Sequence, residues 1–154
     1  MTHSPEHRQF VVERILPGGP AHAFRFWAEA DLKRIWTGCH ADWQEIENRF
    51  AFVPGGEEAV RWRMPDGQEF SVRIHYFEII AGERIVYAYE MALGGRCISA
   101  SLVTVELIPD GARTRMRFTE QAAFLDGGDP AARIAGTHEG FDRLALLMAE
   151  AHPA

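Results

Sequence analysis

Segments 97–108 and 113–122 alternate apolar and polar side chains on either side of Pro109-Asp110-Gly111-Ala112. Period-two alternation flanking a turn sequence admits little besides an antiparallel hairpin. A four-residue loop over 109–112 sets Ile108 opposite Arg113 and, on the outer face, Glu106 opposite Arg115. On the inner face Val105 then meets Met116 and Val103 meets Phe118. One face is charged and the other apolar, so the apolar face has to be covered by another layer. The Arg113, Arg115 and Arg117 stripe falls on the charged face and reads as a solvated surface rather than an anion site.

The remaining elements are short and are separated by Gly and Pro. Residues 9–15 read as a first strand, stopped by Pro17-Gly18-Gly19-Pro20. Pro20 suits the first position of a helix, whose apolar face is Ala23, Phe24, Trp27 and Ala28. A second short helix from about Asp31 carries Leu32, Ile35 and Trp36, and Gly38 ends it. Residues 43–53 hold one or two strands and 59–64 another, with Val60, Trp62 and Met64 on one face. Pro65-Asp66-Gly67 fits a three-residue hairpin loop. That loop sets Trp62 opposite Phe70 and Val60 opposite Val72, and the apolar face continues through Ile74 to Tyr76. Strand 84–92 turns Ile85, Tyr87, Tyr89 and Met91 to one side. The last element is a helix capped by Asp129 and opened by Pro130, with Ile134, Thr137/His138, Phe141, Leu144/Ala145 and Met148 at helical spacing. Gly136 and Gly140 lie one turn apart inside it, where each costs about 1 kcal/mol relative to alanine. Close approach of the sheet or of a ligand would offset that cost.

At 154 residues the chain is read as one domain over 1–154, with residues 1–8 and 152–154 expected to be mobile. A formal net charge of −6 opposes general nucleic-acid binding, which needs a positive surface. No apolar run reaches the roughly 20 residues of a membrane span. The opening MTHSPEHRQF has no apolar segment like that of a secretion signal, so the expected compartment is the cytoplasm. Cys39 and Cys97 form no CxxC pair and are read as reduced thiols. The histidines show no HxxxH or HxH spacing, and Cys39-His40-Ala41-Asp42 matches no zinc pattern, so neither metal nor cofactor is expected. Lys33 is the only lysine among 16 basic residues. This reads as base composition and carries no functional message.

Strand, two short helices, a long antiparallel sheet and a terminal helix is the order of the helix-grip fold, an α+β architecture with the sheet curved around the last helix. Several stretches resemble the START-like SRPBCC superfamily, in its polyketide-cyclase-like branch similar to activators of heat-shock-protein ATPase. They include Phe10 to Pro17, Ala30 to Trp36 and Pro54-Gly55-Gly56 with Arg63-Met64-Pro65-Asp66-Gly67. Further stretches are Glu78-Ile79-Ile80 with Glu83-Arg84-Ile85-Val86-Tyr87, and Val103-Thr104-Val105-Glu106 with Pro109-Asp110-Gly111. Thr119-Glu120-Gln121 with Phe124-Leu125-Asp126-Gly127, and Gly136-Thr137 with Leu144, complete the set. Many members carry two adjacent tryptophans and a glycine after the second helix, whereas Trp36 is followed here by Thr37 and Gly38. The resemblance implies a ligand cavity between sheet and terminal helix, or a role on a chaperone.

Aromatic residues are numerous: ten Phe, three Tyr and four Trp. The registers put Trp62, Phe70, Tyr76, Tyr87, Tyr89 and Phe118 on faces that can surround one cavity, with Phe141 and His138 contributed by the terminal helix. Trp27, Trp36 and Trp43 are assigned to packing. Alternation adds Ser99, Ser101 and Glu120 to the inner face, with Glu120 opposite Ser101. A carboxylate there is partly desolvated unless partnered, and could serve as acid/base or as a ligand's polar anchor. If pairing instead ends near Thr119, Glu120 is exposed or bound to a backbone amide. Nucleophile and phosphate-loop motifs are absent. The expected function is binding of a small hydrophobic or aromatic molecule, with Trp62, Phe70, Tyr76, Tyr87, Tyr89, Ser101, Phe118, Glu120, His138 and Phe141 as ligand-binding residues. The alternatives are a cyclase/dehydratase with Glu120 as acid/base, and a chaperone-interaction module. A homodimer is left open.

Overall fold

The computed structural model describes residues 2–38 and 41–150; Cys39 and His40 of the Cys39-His40-Ala41-Asp42 cluster lie outside the described residues. The elements in chain order are β1 (Glu6–Leu16), α1 (Pro20–Ala28), α2 (Ala30–Thr37), β2 (Gln44–Phe50), β3 (Glu57–Arg63) and β4 (Glu69–Ile80). They continue with β5 (Arg84–Leu93), β6 (Arg96–Asp110), β7 (Arg113–Phe124) and α3 (Pro130–Glu150). All seven strands form one antiparallel sheet in the order β1-β7-β6-β5-β4-β3-β2. Only β1 departs from sequential pairing, crossing to the far edge beside β7. This is the helix-grip α+β fold.

The inner face of the sheet carries Val12, Leu16, Ile85, Val103, Val105, Met116 and Phe118, all buried. Phe26 and Trp27 of α1 and Phe141, Leu144 and Met148 of α3 close over it in a single core. Pro20 opens α1 without a side-chain cap. Asp129 caps α3, its Oδ1 accepting the Ala131 N–H at 3.0 Å, which satisfies a donor that the first helical turn leaves free.

The β3–β4 register is as read from Pro65-Asp66-Gly67: Trp62 faces Phe70 and Val60 faces Val72. At the β6–β7 turn the loop is two residues, not four. Asp110 pairs with Arg113, Glu106 with Arg117 and Val103 with Glu120. Gly111 takes φ 62° at the first turn position, the mirror-type turn whose twist matches that of the flanking strands. Pro109 can join β6 because β5 no longer flanks the strand there, so no ladder donor is missed on that side. A shift of two residues preserves which side chains face inward and changes only their partners. Ser101 accordingly sits opposite Ala122 rather than Glu120.

Two further readings are corrected. Glu6, His7 and Arg8 are part of β1, paired with Phe124, Ala123 and Ala122. On α2 the inward residues are Lys33 and Trp36, while Ile35 is 48% exposed. Lys33 lies one turn before Trp36, so helix geometry carries it inward. No helix among the described residues is long and apolar enough to cross a membrane.

Candidate functional site

Between the sheet and α3 lies a cavity of about 610 Å³. Its sheet wall includes Val60, Trp62, Phe70, Val72 and Ile74, continuing through Tyr87, Tyr89, Met91 and Phe118. Its helical side is formed by Trp27 of α1, Lys33 and Trp36 of α2, and Arg133, Gly136, Thr137, Gly140 and Phe141 of α3. The rings are locked against one another. Trp27 and Trp36 meet edge to face at 4.9 Å, as do Phe118 and Phe141 at 4.9 Å, and Trp62 stacks on Phe70 at 5.9 Å. The glycine row of α3 borders this space. A methyl group added at Gly136 would meet nothing within 4 Å, and one at Gly140 would meet only the Arg143 side chain at 3.7 Å. The sheet therefore does not press on the glycines; they leave room in the cavity.

Two polar clusters interrupt the apolar wall. The first is centred on Glu120, 1% exposed. Its Oε2 accepts from the Tyr89 hydroxyl at 2.8 Å and the Ser101 hydroxyl at 2.7 Å. Its Oε1 has no hydrogen-bond partner. Arg133 of α3 donates to Ser99 Oγ at 2.9 Å and to Tyr89 Oη at 3.2 Å, with its guanidinium over the Phe124 ring. The Tyr89 hydroxyl thus relays between guanidinium and carboxylate. Burial, then the Glu120 charge, raises the Tyr89 phenol pKa above the ordinary range, because a phenolate would be poorly solvated beside an anion.

The second cluster is centred on Lys33, 6% exposed. Its ammonium donates to Glu58 Oε1 at 2.6 Å and to Tyr76 Oη at 3.0 Å, and Tyr76 itself donates to the same carboxylate oxygen at 2.7 Å. The Phe50 and Tyr76 rings lie within 5.6 Å of the ammonium. Burial and the Glu58 charge together hold the Tyr76 phenol pKa far above its usual value. A buried ion pair is held together by such extra hydrogen bonds, since Coulomb attraction alone does not repay desolvation.

Of the residues expected at the site, Trp62, Phe70, Tyr87, Tyr89, Phe118, Glu120 and Phe141 share the cavity wall. Ser101 stands behind it as a donor to Glu120. Tyr76, 1% exposed, lies behind Lys33 and Glu58 rather than on the wall. His138 does not line it: its Nδ1 meets Arg14 Nη2 at 2.9 Å, on the side of α3 that packs against β1. Trp27, Trp36 and Trp43, assigned to packing, also line the cavity. Lys33, Glu58 and Arg133 were not foreseen. The uniqueness of Lys33 and its spacing from Trp36 were the available signals. Glu58 and Arg133 carried none, because neither a glutamate on a short strand nor an exposed-looking helical arginine stands out. Among the described residues no group of three His, Cys, Asp or Glu side chains could hold a metal ion.

Residues 19–149 match the family model described as Activator of Hsp90 ATPase homolog 1-like protein. The chain belongs to that family. A solved protein of Rhizobium leguminosarum is 42% identical, with a TM-score of 0.88 over 96% of this chain and 97% of that one. A second, from Rhizobium loti, is 38% identical, with a TM-score of 0.85 over 94% and 99% of the two chains. An AHSA1-like protein of Aeromonas hydrophila, 18% identical, shares the fold with a TM-score of 0.69 over 96% and 99%. No curated protein matches the chain.

Proposed function

We propose that this family member binds a small hydrophobic or aromatic molecule in the cavity between the sheet and α3. The observation that carries the reading is the cavity itself. About 610 Å³ is within the range of ligand sites, and its walls are largely aromatic and aliphatic, with two buried polar clusters and further polar side chains, among them Arg34, Glu45, Asn48 and Arg143. A core left open at this size forfeits packing energy, and the helix glycines that keep it open forfeit helix propensity as well. Native mass spectrometry of freshly purified protein tests the reading, with an apolar naphthalene dye as probe. The expected result is a retained or dye-displaceable ligand at one per chain. Absence of both retained mass and dye binding would exclude it.

A second reading, an interaction with a chaperone ATPase, draws on the family description alone. Stimulation of Hsp90 ATPase activity by the purified chain, insensitive to cavity-filling substitutions, would favour it over the first.

A further inference from the structure

Base composition explains why this chain uses arginine almost everywhere, but not where its one exception falls. Fifteen of the 16 basic residues are arginine, and their ion pairs, such as Arg25 with Glu29 and Arg73 with Glu90, lie at the surface. The one lysine stands in a buried pair, Lys33 with Glu58, whose side chains are 7% and 10% exposed. Arginine is the better partner for a buried carboxylate, since its planar fork can bond both oxygens and is more weakly hydrated. What arginine lacks is a nitrogen that can give up a proton and attack carbon. Its guanidinium stays protonated in proteins, whereas the lysine amine can act as a nucleophile.

The surroundings of Lys33 suit that chemistry. Lys33 and Glu58 line the cavity, and Tyr76 stands behind them. Glu58 Oε1, 2.6 Å from the ammonium, is placed to accept a proton. The Tyr76 phenol, its pKa raised by burial and by the Glu58 charge, keeps its own proton and donates it to the same oxygen at 2.7 Å. The carboxylate, not the phenol, is therefore the base. Of the three N–H groups of the ammonium, two are taken by these partners. Two other buried wall atoms lack partners altogether, Trp27 Nε1 and Glu120 Oε1. An indole nitrogen and a carboxylate oxygen can orient a bound molecule through hydrogen bonds. Of the three groups, only the lysine nitrogen forms a lasting bond with a carbonyl carbon.

Resting on the cavity-binding reading above, we propose that Lys33 is a nucleophile that condenses with a hydrophobic aldehyde in the cavity and holds it as an imine. The ammonium passes one proton to Glu58, and the amine lone pair attacks the aldehyde carbon while the carbonyl π pair moves to oxygen. A proton then shifts from nitrogen to that oxygen, which gives the carbinolamine. Glu58 returns its proton to the hydroxyl, which leaves as water as the nitrogen lone pair closes the C=N bond. One ammonium and one aldehyde thus give one protonated imine and one water, with no oxidant or reductant consumed. The product keeps its positive charge beside the Glu58 carboxylate, so condensation leaves no buried charge unpaired.

The probe is 2-naphthaldehyde, incubated with the purified chain and trapped with cyanoborohydride, and the labelled position is read by intact mass and peptide mapping. Apart from the α-amino group the sequence contains no other primary amine, and that group serves as the internal reference. The expected result is one adduct on Lys33, formed about tenfold faster than on the α-amino group because the cavity holds aldehyde and amine together. Glyoxylate, an aldehyde with no apolar body, is expected to prefer the α-amino group, and an apolar naphthalene dye is expected to protect Lys33 from 2-naphthaldehyde. Glu58→Gln is expected to slow adduct formation at saturating aldehyde by about tenfold or more, the loss of a positioned base. An unchanged saturated rate overturns Glu58 as that base. Dye binding without a Lys33 adduct overturns the nucleophile assignment and leaves the cavity reading standing. A Lys33 adduct that forms no faster than the reference, that glyoxylate gives as readily, or that dye leaves untouched overturns it in the same way. Absence of both dye binding and adduct overturns the cavity reading and this proposal with it. Should the variant not fold, wild type decides. Before reduction its 2-naphthaldehyde complex is expected to show the red-shifted absorbance of a protonated naphthyl imine, and an unshifted spectrum overturns the condensation.

Discussion

Lys33 and Glu120 show what a single side chain discloses before it is folded. Glu120 was legible because strand alternation assigns a face: a carboxylate in step with Met116 and Phe118 has to be inside. Its surroundings were not, since Arg133 arrives from α3 and the Ser101 contact runs diagonally across a hairpin shifted by two residues. Lys33 sits in a helix of eight residues, too short for periodicity to separate a buried cation from an exposed one. Its partner Glu58 is 25 residues away on another element. The ion pair gives a direct prediction. Glu58→Ala leaves the ammonium buried without its carboxylate and is expected to lose about 3–5 kcal/mol of stability, whereas Lys33→Met/Glu58→Gln loses less than half of that. Urea unfolding measures both, and equal losses would show that the pair is no more than two independent contacts.

The elements of the fold are legible from their turns, with errors that the turns explain. Pro65-Asp66-Gly67 fixed the β3–β4 register because proline and a positive-φ glycine specify a three-residue loop together, and Gly67 has φ 88°. Pro109-Asp110-Gly111-Ala112 offers the same cues, but there the proline lies within the strand, and the sequence alone cannot distinguish the two. On α3 the spacing of Phe141, Leu144 and Met148 identified the packed face, while the glycine row marked the part of the helix that borders open space. Gly136→Ala is therefore expected to stabilise the chain by about 1 kcal/mol, because the new methyl meets no neighbour and the helix interior prefers alanine. Gly136→Leu extends into the same space and is expected to weaken naphthalene-dye binding at least tenfold with the melting temperature unchanged or raised. A leucine variant that binds dye like wild type would place the dye elsewhere.

At the scale of the whole molecule, the curved sheet concentrates polar aromatic groups where water is scarce. The chain has three tyrosines, and all three face the interior from β4 and β5. Burial raises each phenol pKa: Tyr87 with the neighbouring Tyr89 as the next cause, and Tyr76 and Tyr89 with the carboxylates Glu58 and Glu120. Below the ordinary phenol pKa of about 10, folded and unfolded chains both hold these protons, and the tyrosines leave stability independent of pH. Above it the unfolded chain releases them while the folded chain does not, so the unfolded state binds fewer protons and stability falls as pH rises. Each phenol contributes a slope of about 1.4 kcal/mol per pH unit, and the three together about 4 kcal/mol per unit. Tyrosinate absorbance is thus expected to stay absent at pH values where free phenols ionise, and then to appear in one step with the loss of near-ultraviolet circular dichroism. A gradual rise centred near pH 10 with the dichroism intact would mean that water reaches the phenols in the folded state, and hence that the cavity is open to bulk solvent along its whole depth.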